Sequence, residues 1–215
     1  MSTIASAELD YTAGAPNRRR PFLAAALASW FALVFLLALN GQFVRPPGTP
    51  PLPILVAFMT PIVLFLIGYF TSPAVRNLVL TADLSLITSL HAGRFVGFSF
   101  LGFYAFGILP GYFAWPAALG DMAIAVTAPW LARALREQPR LALTKRLVAW
   151  NVFGIFDFVV AVSMGAIVPL LFPSLRTTNA VTPLAILPLS LIPTFFVPLY
   201  AIFHLIALIQ VRHAR

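Results

Sequence analysis

The chain alternates between long apolar runs and short polar breaks. Six runs approach or exceed the length of about 20 residues that a helix needs to cross a bilayer. They cover residues 21–43, 51–70, 84–109, 116–135, 147–172 and 183–211. Short segments rich in proline and glycine, such as residues 45–48, separate several of them. The pattern predicts an all-α fold, a polytopic membrane protein built as a bundle of six transmembrane helices.

Two segments outside these runs have a distinct character. Residues 1–20 are polar and rich in small residues, and they predict a disordered cytoplasmic tail before one transmembrane domain at 21–215. Residues 73–82 are only moderately apolar and follow Ser72, which suits a helix cap, and Pro73, which suits a first helical position. They predict a short interfacial helix, with a lead-in to the third span as the alternative.

The third run can be placed in two ways. A helix that starts near Leu84 is about 39 Å long and puts His91 about 10 Å and Arg94 about 15 Å into the membrane. A helix over residues 94–115 would instead leave Arg94 at the surface, with its side chain extended toward water. We favour the longer helix over 84–109, because a start at Phe95 gives only about 22 Å.

The sixth run is interrupted by regularly spaced prolines. Pro183, Pro188, Pro193 and Pro198 recur at every fifth residue. Each interior proline removes a backbone hydrogen bond and crowds the preceding turn. We expect this span to be bent or partly unwound, with Pro188, Pro193 and Pro198 as candidate hinges.

Composition supports the membrane interpretation. Of the 215 residues, 60% are hydrophobic and 9% are charged, whereas about 25% are charged in a typical soluble domain. Cysteine is absent, which excludes disulfides and sites built on cysteine ligands. Neither a phosphate-binding loop that ends in Lys-Ser or Lys-Thr nor a GxSxG nucleophile motif occurs, so the chain is more naturally a non-enzyme.

Charge sets the predicted orientation. The net charge is +8, but the basic residues lie in short loops between the apolar runs, and we therefore expect no nucleic-acid partner. With six spans and the N-terminus inside, the outer loops hold only Arg45 and Arg176. The positive-inside rule then places both termini in the cytoplasm and the chain in the cell (inner) membrane.

A few polar residues within the apolar runs are the candidates for chemistry. His91 and Arg94 share one helical face, and Asp157 lies at a similar predicted depth in the fifth run. Asn151 precedes Asp157 by six residues on the same side, with Gly154 leaving space between them, and His204 lies in the sixth run. A buried arginine needs a partner, so we predict a polar cluster built around an Arg94–Asp157 pair.

Two further sites are weaker. Asp121 follows Pro116 by five residues, about 7 Å below the outer surface, and is a candidate for an outer vestibule. His91 and His204 could hold haem or a metal ion, with Asp157 as a third ligand, but no histidine-pair motif supports this, and no metal site is predicted.

Three functional hypotheses follow. The first is a small proton- or anion-coupled transporter or channel, in which the Arg94–Asp157 pair breaks and re-forms as the ion passes. The second is a membrane enzyme or redox protein that uses His91, His204 and Asp157 on a lipophilic small molecule. The third is an accessory subunit whose cluster only fixes helix register. The expected partners are the lipid bilayer, a small ion or lipophilic molecule, and a second copy or another subunit.

Overall fold

A computed structural model describes residues 19–46, 49–172 and 182–214 of the chain. Within those ranges the regular structure is entirely helical, with no strand. The α-helices are α1 Arg19–Leu39, α2 Leu52–Thr71, α3 Pro73–Leu80, α4 Leu84–Leu90, α5 Ser99–Ala105, α6 Gly111–Glu137, α7 Lys145–Val162, α8 Val168–Leu171 and α9 Val197–His213. Segments of 3-10 helix cover His91–Phe98, Pro139–Leu143 and Thr182–Ala185, and π-helical segments cover Ser163–Ile167 and Ile192–Phe196.

Five helical stretches are long and apolar enough to cross a membrane. They are Pro21–Leu39, Leu52–Thr71, Leu84–Ala105, Lys145–Ile167 and Ile192–His213. These five lie within or close to five of the six predicted spans, with ends that differ by a few residues in most cases. The fold is therefore all-α and consistent with a helical membrane protein.

The fourth predicted span is not among the helices that are apolar enough to cross a membrane, so the six-span bundle is not confirmed. In place of 116–135 there is a longer helix, α6, which runs through both Pro116 and Pro129. Its sequence is rich in alanine and also carries Asp121 and, near its end, Glu137, which lowers its hydropathy. α6 packs an alanine-rich face against α4, α5, α7 and the 3-10 segment His91–Phe98, while Leu119 and Trp130 on the rest of its surface are exposed.

The third span is one continuous rod with a tightened centre. It begins at Leu84, where the Asp83 side chain accepts hydrogen bonds from the backbone N–H groups of Ser85 and Leu86. His91 and Arg94 lie in its central 3-10 segment. The rod ends at Ala105 rather than at residue 109, because Gly107 adopts a positive φ of 70° in the turn before Pro110.

The sixth span also starts later than predicted. Residues 182–185 form a 3-10 segment and residues 186–190 a bend and a turn, and the stretch long and apolar enough to cross a membrane begins only at Ile192. Pro188 therefore lies before the helix and is not a hinge within it. Pro193 lies in the π-helical segment, and Pro198 is the second residue of α9. The prolines remove the amide donors that a continuous α-helix would need there.

The segments at the start of the first span and after the second agree in part with the sequence-based prediction. Arg19 and Arg20 belong to α1 rather than to a tail, and the remainder of the predicted tail at residues 1–18 lies outside the described residues. The short helix predicted at 73–82 is present as α3, and the Ser72 hydroxyl accepts a hydrogen bond from the backbone N–H of Val75.

Polar residues are buried in this bundle while large apolar side chains cover its surface. The buried polar set comprises Ser85, Thr88, His91, Arg94, Asn151, Asp157, Ser190, Thr194 and His204. Exposed side chains include Phe22, Phe70 and Trp130. The distribution is the reverse of a soluble protein's and suits lipid as the surrounding medium. The central cluster lies between an apolar core around Phe113 and a second around Leu147.

Gln210 fastens the end of α9 to the short helix α3. Its side-chain amide nitrogen, Nε2, donates to the carbonyl oxygens of Val79 at 2.7 Å and Ala82 at 2.8 Å. We expect Gln210→Ala to lower the free energy of unfolding by about 1–2 kcal/mol, because two partly buried carbonyls lose their donor. Thermal unfolding in detergent measures this. The exposed Gln138 provides the control, and Gln138→Ala should leave the transition unchanged.

Candidate functional site

Arg94 is the centre of the buried cluster. Its side chain is 1% exposed, and each of its three nitrogen positions contacts a different helix. Nε donates to Oδ1 of Asp121 on α6 at 2.7 Å, and Nη2 donates to Oδ2 of Asp157 on α7. Nη1 lies 3.1 Å from Nε2 of His204 on α9. The guanidinium is thus shared between two carboxylates and one imidazole.

The hydrogen bonds of His204 fix its tautomer. Asn151 donates through Nδ2 to the carbonyl oxygen of Leu147, so its Oδ1 faces Nδ1 of His204 at 2.8 Å. An amide oxygen only accepts, so Nδ1 of His204 carries the proton. Nε2 of His204 therefore has the lone pair that accepts from Arg94, and the imidazole is neutral in this arrangement.

His91 continues the cluster on the other side of His204. The two imidazole rings stack with their centroids 4.0 Å apart, and the rings of Trp150 and Tyr200 lie 5.3 and 5.4 Å from His91. His91 is buried, and neither of its ring nitrogens has a hydrogen-bond partner among the described residues. Buried polar atoms without partners in a native fold call for a specific explanation.

Four glycines make room for these side chains. A Cβ atom added at Gly120 would overlap the Asp157 carboxylate, and one at Gly154 would overlap the His204 ring. Likewise, Gly97 faces the Asp121 carboxylate and Gly93 faces the Tyr200 hydroxyl. Gly154 therefore accommodates His204 rather than only the space between Asn151 and Asp157. The glycines let the charged groups reach the guanidinium between closely packed helices.

The structure brings all five residues of the predicted cluster together and adds Asp121. The sequence pattern predicted Asp121 as a separate vestibule residue, because it assumed a helix start at Pro116. Since α6 begins at Gly111, Asp121 lies ten residues along the helix, or about 15 Å from its start, level with Arg94. The signal that could have located it is helical spacing: Ala117, Gly120 and Asp121 share one face at i, i+3 and i+4.

An apolar cavity of about 90 Å³ adjoins the two carboxylates. It lies between α2, α6, α7 and the π-helical segment Ile192–Phe196. Asp121 and Asp157 line it, while the guanidinium of Arg94 is not part of its wall. Phe158 lines the cavity and also stacks on Arg94, whose Cζ is 4.0 Å from the ring centroid.

The two histidines are not arranged to hold haem or a metal together. A metal ligated by imidazole lies in the plane of the ring, whereas these two rings are stacked face to face at an angle of 28°. Both nitrogens of His204 are also engaged, by Asn151 and Arg94. Among the described residues, no group of three or more histidine, cysteine, aspartate or glutamate side chains has a geometry that could hold a metal ion.

The overlap at Gly120 gives a stability prediction. We expect Gly120→Ala to lower the free energy of unfolding by about 1–3 kcal/mol, because the added methyl group forces Asp157 away from Arg94. Gly102 in α5 is the matched control, since a Cβ there meets no atom within 4 Å. Gly102→Ala should be neutral or stabilise by up to about 1 kcal/mol. Equal effects of the two substitutions on thermal unfolding would contradict the packing described here.

Comparisons with known proteins identify a family for this chain. No curated protein and no solved structure matches it. A family profile matches residues 51–212, which include α2 to α8, nearly all of α9 and every residue of the buried cluster. The chain belongs to the family described as Domain of unknown function (DUF8737).

Proposed function

We propose that this protein is a small proton-coupled membrane transporter in which Asp121, Arg94 and Asp157 form the proton-binding centre. The observation that carries the proposal is the sharing of one buried guanidinium between two carboxylates. Ionisable groups at such depth are expensive to keep in a membrane protein and are usually retained for transport or proton transfer.

The charge count favours a proton. One arginine balances one carboxylate, and His204 is neutral in the observed hydrogen-bonding pattern. The second carboxylate is therefore in excess, and an uncompensated charge in apolar surroundings is costly. Binding one proton, or one other monovalent cation, makes the centre neutral.

The same geometry disfavours the anion-coupled alternative. Asp121 and Asp157 contribute to the cavity wall whereas Arg94 does not, so an anion that enters would come near negative charge first. The polar chain continues away from the cavity, from Arg94 to His204 and then to the stacked His91. The Arg94 guanidinium keeps its own protons, so transfer requires the Arg94–His204 contact to open and Nε2 of His204 to accept the proton directly from a carboxylic acid. We infer that protons then leave on the His91 side, which faces the cytoplasm in the predicted orientation.

Two π-helical segments in the cavity wall could allow the surrounding helices to rearrange. The cavity wall includes Gly165 and Ala166 from one π-helical segment and Ile192 and Pro193 from the other. Such segments often mark functional sites, and their backbone hydrogen bonds are less regular than those of an α-helix. Rearrangement of these two walls would change access to the carboxylates.

The other two functional hypotheses have less support. A redox enzyme that uses a metal or haem on both histidines is disfavoured by their stacking. A purely accessory role, with the cluster fixing helix register, explains the ion pairs but not the cavity beside them. The accessory role predicts no ion flux by the protein alone, which separates it from transport.

Asp157→Asn is the direct test of the proton centre. We expect purified wild-type protein in liposomes to dissipate an imposed pH gradient, reported by an entrapped pH dye. The amide that replaces the carboxylate cannot carry the proton, so the flux should fall to the background of empty liposomes. The substitution keeps the shape of the side chain and leaves Arg94 paired with Asp121, so we expect the protein to fold.

The control removes a carboxylate elsewhere. Glu137 pairs with Arg133 on the exposed end of α6, with side chains 56% and 78% exposed. Glu137→Gln should leave the flux unchanged. If Asp157→Asn retained wild-type flux, or if wild-type protein produced none in the presence of a range of ions and amines, the proposal would be wrong.

His91→Phe separates proton transfer from packing. Phenylalanine keeps an aromatic ring against His204 but has no nitrogen to carry a proton. We expect at least a tenfold slower flux together with a free energy of unfolding equal to or above that of wild type, because a buried unpaired polar group costs about 1–3 kcal/mol. Unchanged flux with raised stability would instead make His91 a packing residue only.

A further inference from the structure

We infer that the cavity beside Asp121 and Asp157 is a binding site for a lipophilic organic ammonium ion, which occupies the position of the proton at the centre. The inference deepens the proposed function, on which it rests, by naming the substrate class. The ion would place its nitrogen beside the carboxylates and its hydrocarbon body among the apolar side chains of the wall.

The charges around the cavity select the sign of the ligand. Within the described part of the chain, Asp121 and Asp157 are the only charged residues in its lining, and the ring of Phe158 lies against Arg94 at this boundary. Each carboxylate uses one oxygen for Arg94. The second oxygen, beside Gly97 for Asp121 and beside Gly120 for Asp157, has no hydrogen-bond donor among the described residues. A ligand with N–H groups can supply that donor, and its positive charge offsets the excess carboxylate.

The rest of the wall selects a lipophilic body. Its lining includes the phenylalanines Phe58, Phe100, Phe113 and Phe158. Aromatic faces attract organic cations, and the attraction is strongest where water is excluded. Apart from the two aspartates, the described lining is entirely apolar or glycine, so a small hydrated metal ion would lose most of its water and gain only carboxylate oxygens as ligands.

The size of the cavity restricts the body of the ligand. A volume of about 90 Å³ suits a short alkyl chain or one small ring more than a phospholipid. It is bounded by Ala161 and Gly165, where small side chains leave the space open, and by the π-helical segments, whose backbone is irregular. Hexylamine is a suitable probe, because a primary alkylamine is protonated at neutral pH, as a lysine side chain is.

The experiment is calorimetric titration of the purified full-length protein in detergent with hexylamine, hexanol and hexanoate. We expect saturable binding of hexylamine alone, at one per chain. Repeating the titration in buffers of different ionisation enthalpy counts protons, and we expect close to one proton released per amine bound. Hexanol and hexanoate share the chain length but lack the positive charge, so they control for partition into the detergent.

Two variants locate the binding. Ala161→Leu fills the cavity without altering a charged group and should weaken hexylamine binding at least tenfold. Asp157→Asn should abolish hexylamine binding and, in liposomes, proton flux. Thermal unfolding shows whether each variant is folded, and the result from one folded variant is sufficient to locate the site.

The outcomes distinguish this inference from the proposed function. Equal binding of hexanol and hexylamine, or undiminished hexylamine binding by Ala161→Leu, overturns the ammonium site even if proton flux is normal. Hexylamine binding without proton release, in a protein that carries no proton flux, supports the site and overturns proton coupling. Absence of saturable hexylamine binding by the folded wild-type protein overturns the inference outright.

Discussion

A buried guanidinium must find acceptors for its N–H groups, and that requirement organises this bundle. Arg94 meets it with partners on α6, α7 and α9, so three helices that are far apart in sequence are fixed at one level. Without such partners an arginine in apolar surroundings would cost several kcal/mol or move to the surface. The cluster therefore sets the relative depth of the helices as well as their orientation.

Close packing around the cluster depends on small side chains. Hydrocarbon solvent gives apolar helices little reason to associate, so packing and polar contacts must hold them together. Gly97 and Gly120 let the two carboxylates lie directly against neighbouring backbone, and Ala117 and Ala118 continue the close contact along α6. The charged centre and the glycine positions are two parts of one arrangement, since neither carboxylate would fit beside a larger residue.

Much of the fold could be predicted from the sequence. Long apolar runs bounded by proline, glycine and arginine locate five helices that are long and apolar enough to cross a membrane, because length and hydropathy are set by the local sequence. The helix cap at Ser72 and the short helix α3 were predictable for the same reason, because both depend on residues that are adjacent in the sequence. The fourth run was mispredicted because α6 packs an alanine-rich face that also carries Asp121 against neighbouring helices, which lowers its hydropathy, and because its start at Gly111 could not be read past Pro116. The candidate site was predictable in part: Arg94 requires partners, and Asp157 lies at matching depth. The place of Asp121 in the cluster was missed because the predicted helix start was wrong by five residues. The stacking of the two histidines depends on how each helix is rotated about its own axis, and apolar periodicity does not define that rotation when a helix is apolar on all sides.

The π-helical turn at Ser163–Ile167 has a consequence for how this molecule can change over evolution. A π turn holds one more residue than an α turn, so it absorbs a single-residue insertion without breaking the helix. Side chains beyond it are rotated relative to the face that carries Asn151 and Asp157. The π turn, with Gly165 and Ala166, and the residues that follow it can therefore accept new shapes while the ionic part of the helix stays in register, so the cavity wall can diverge without rebuilding the charged core.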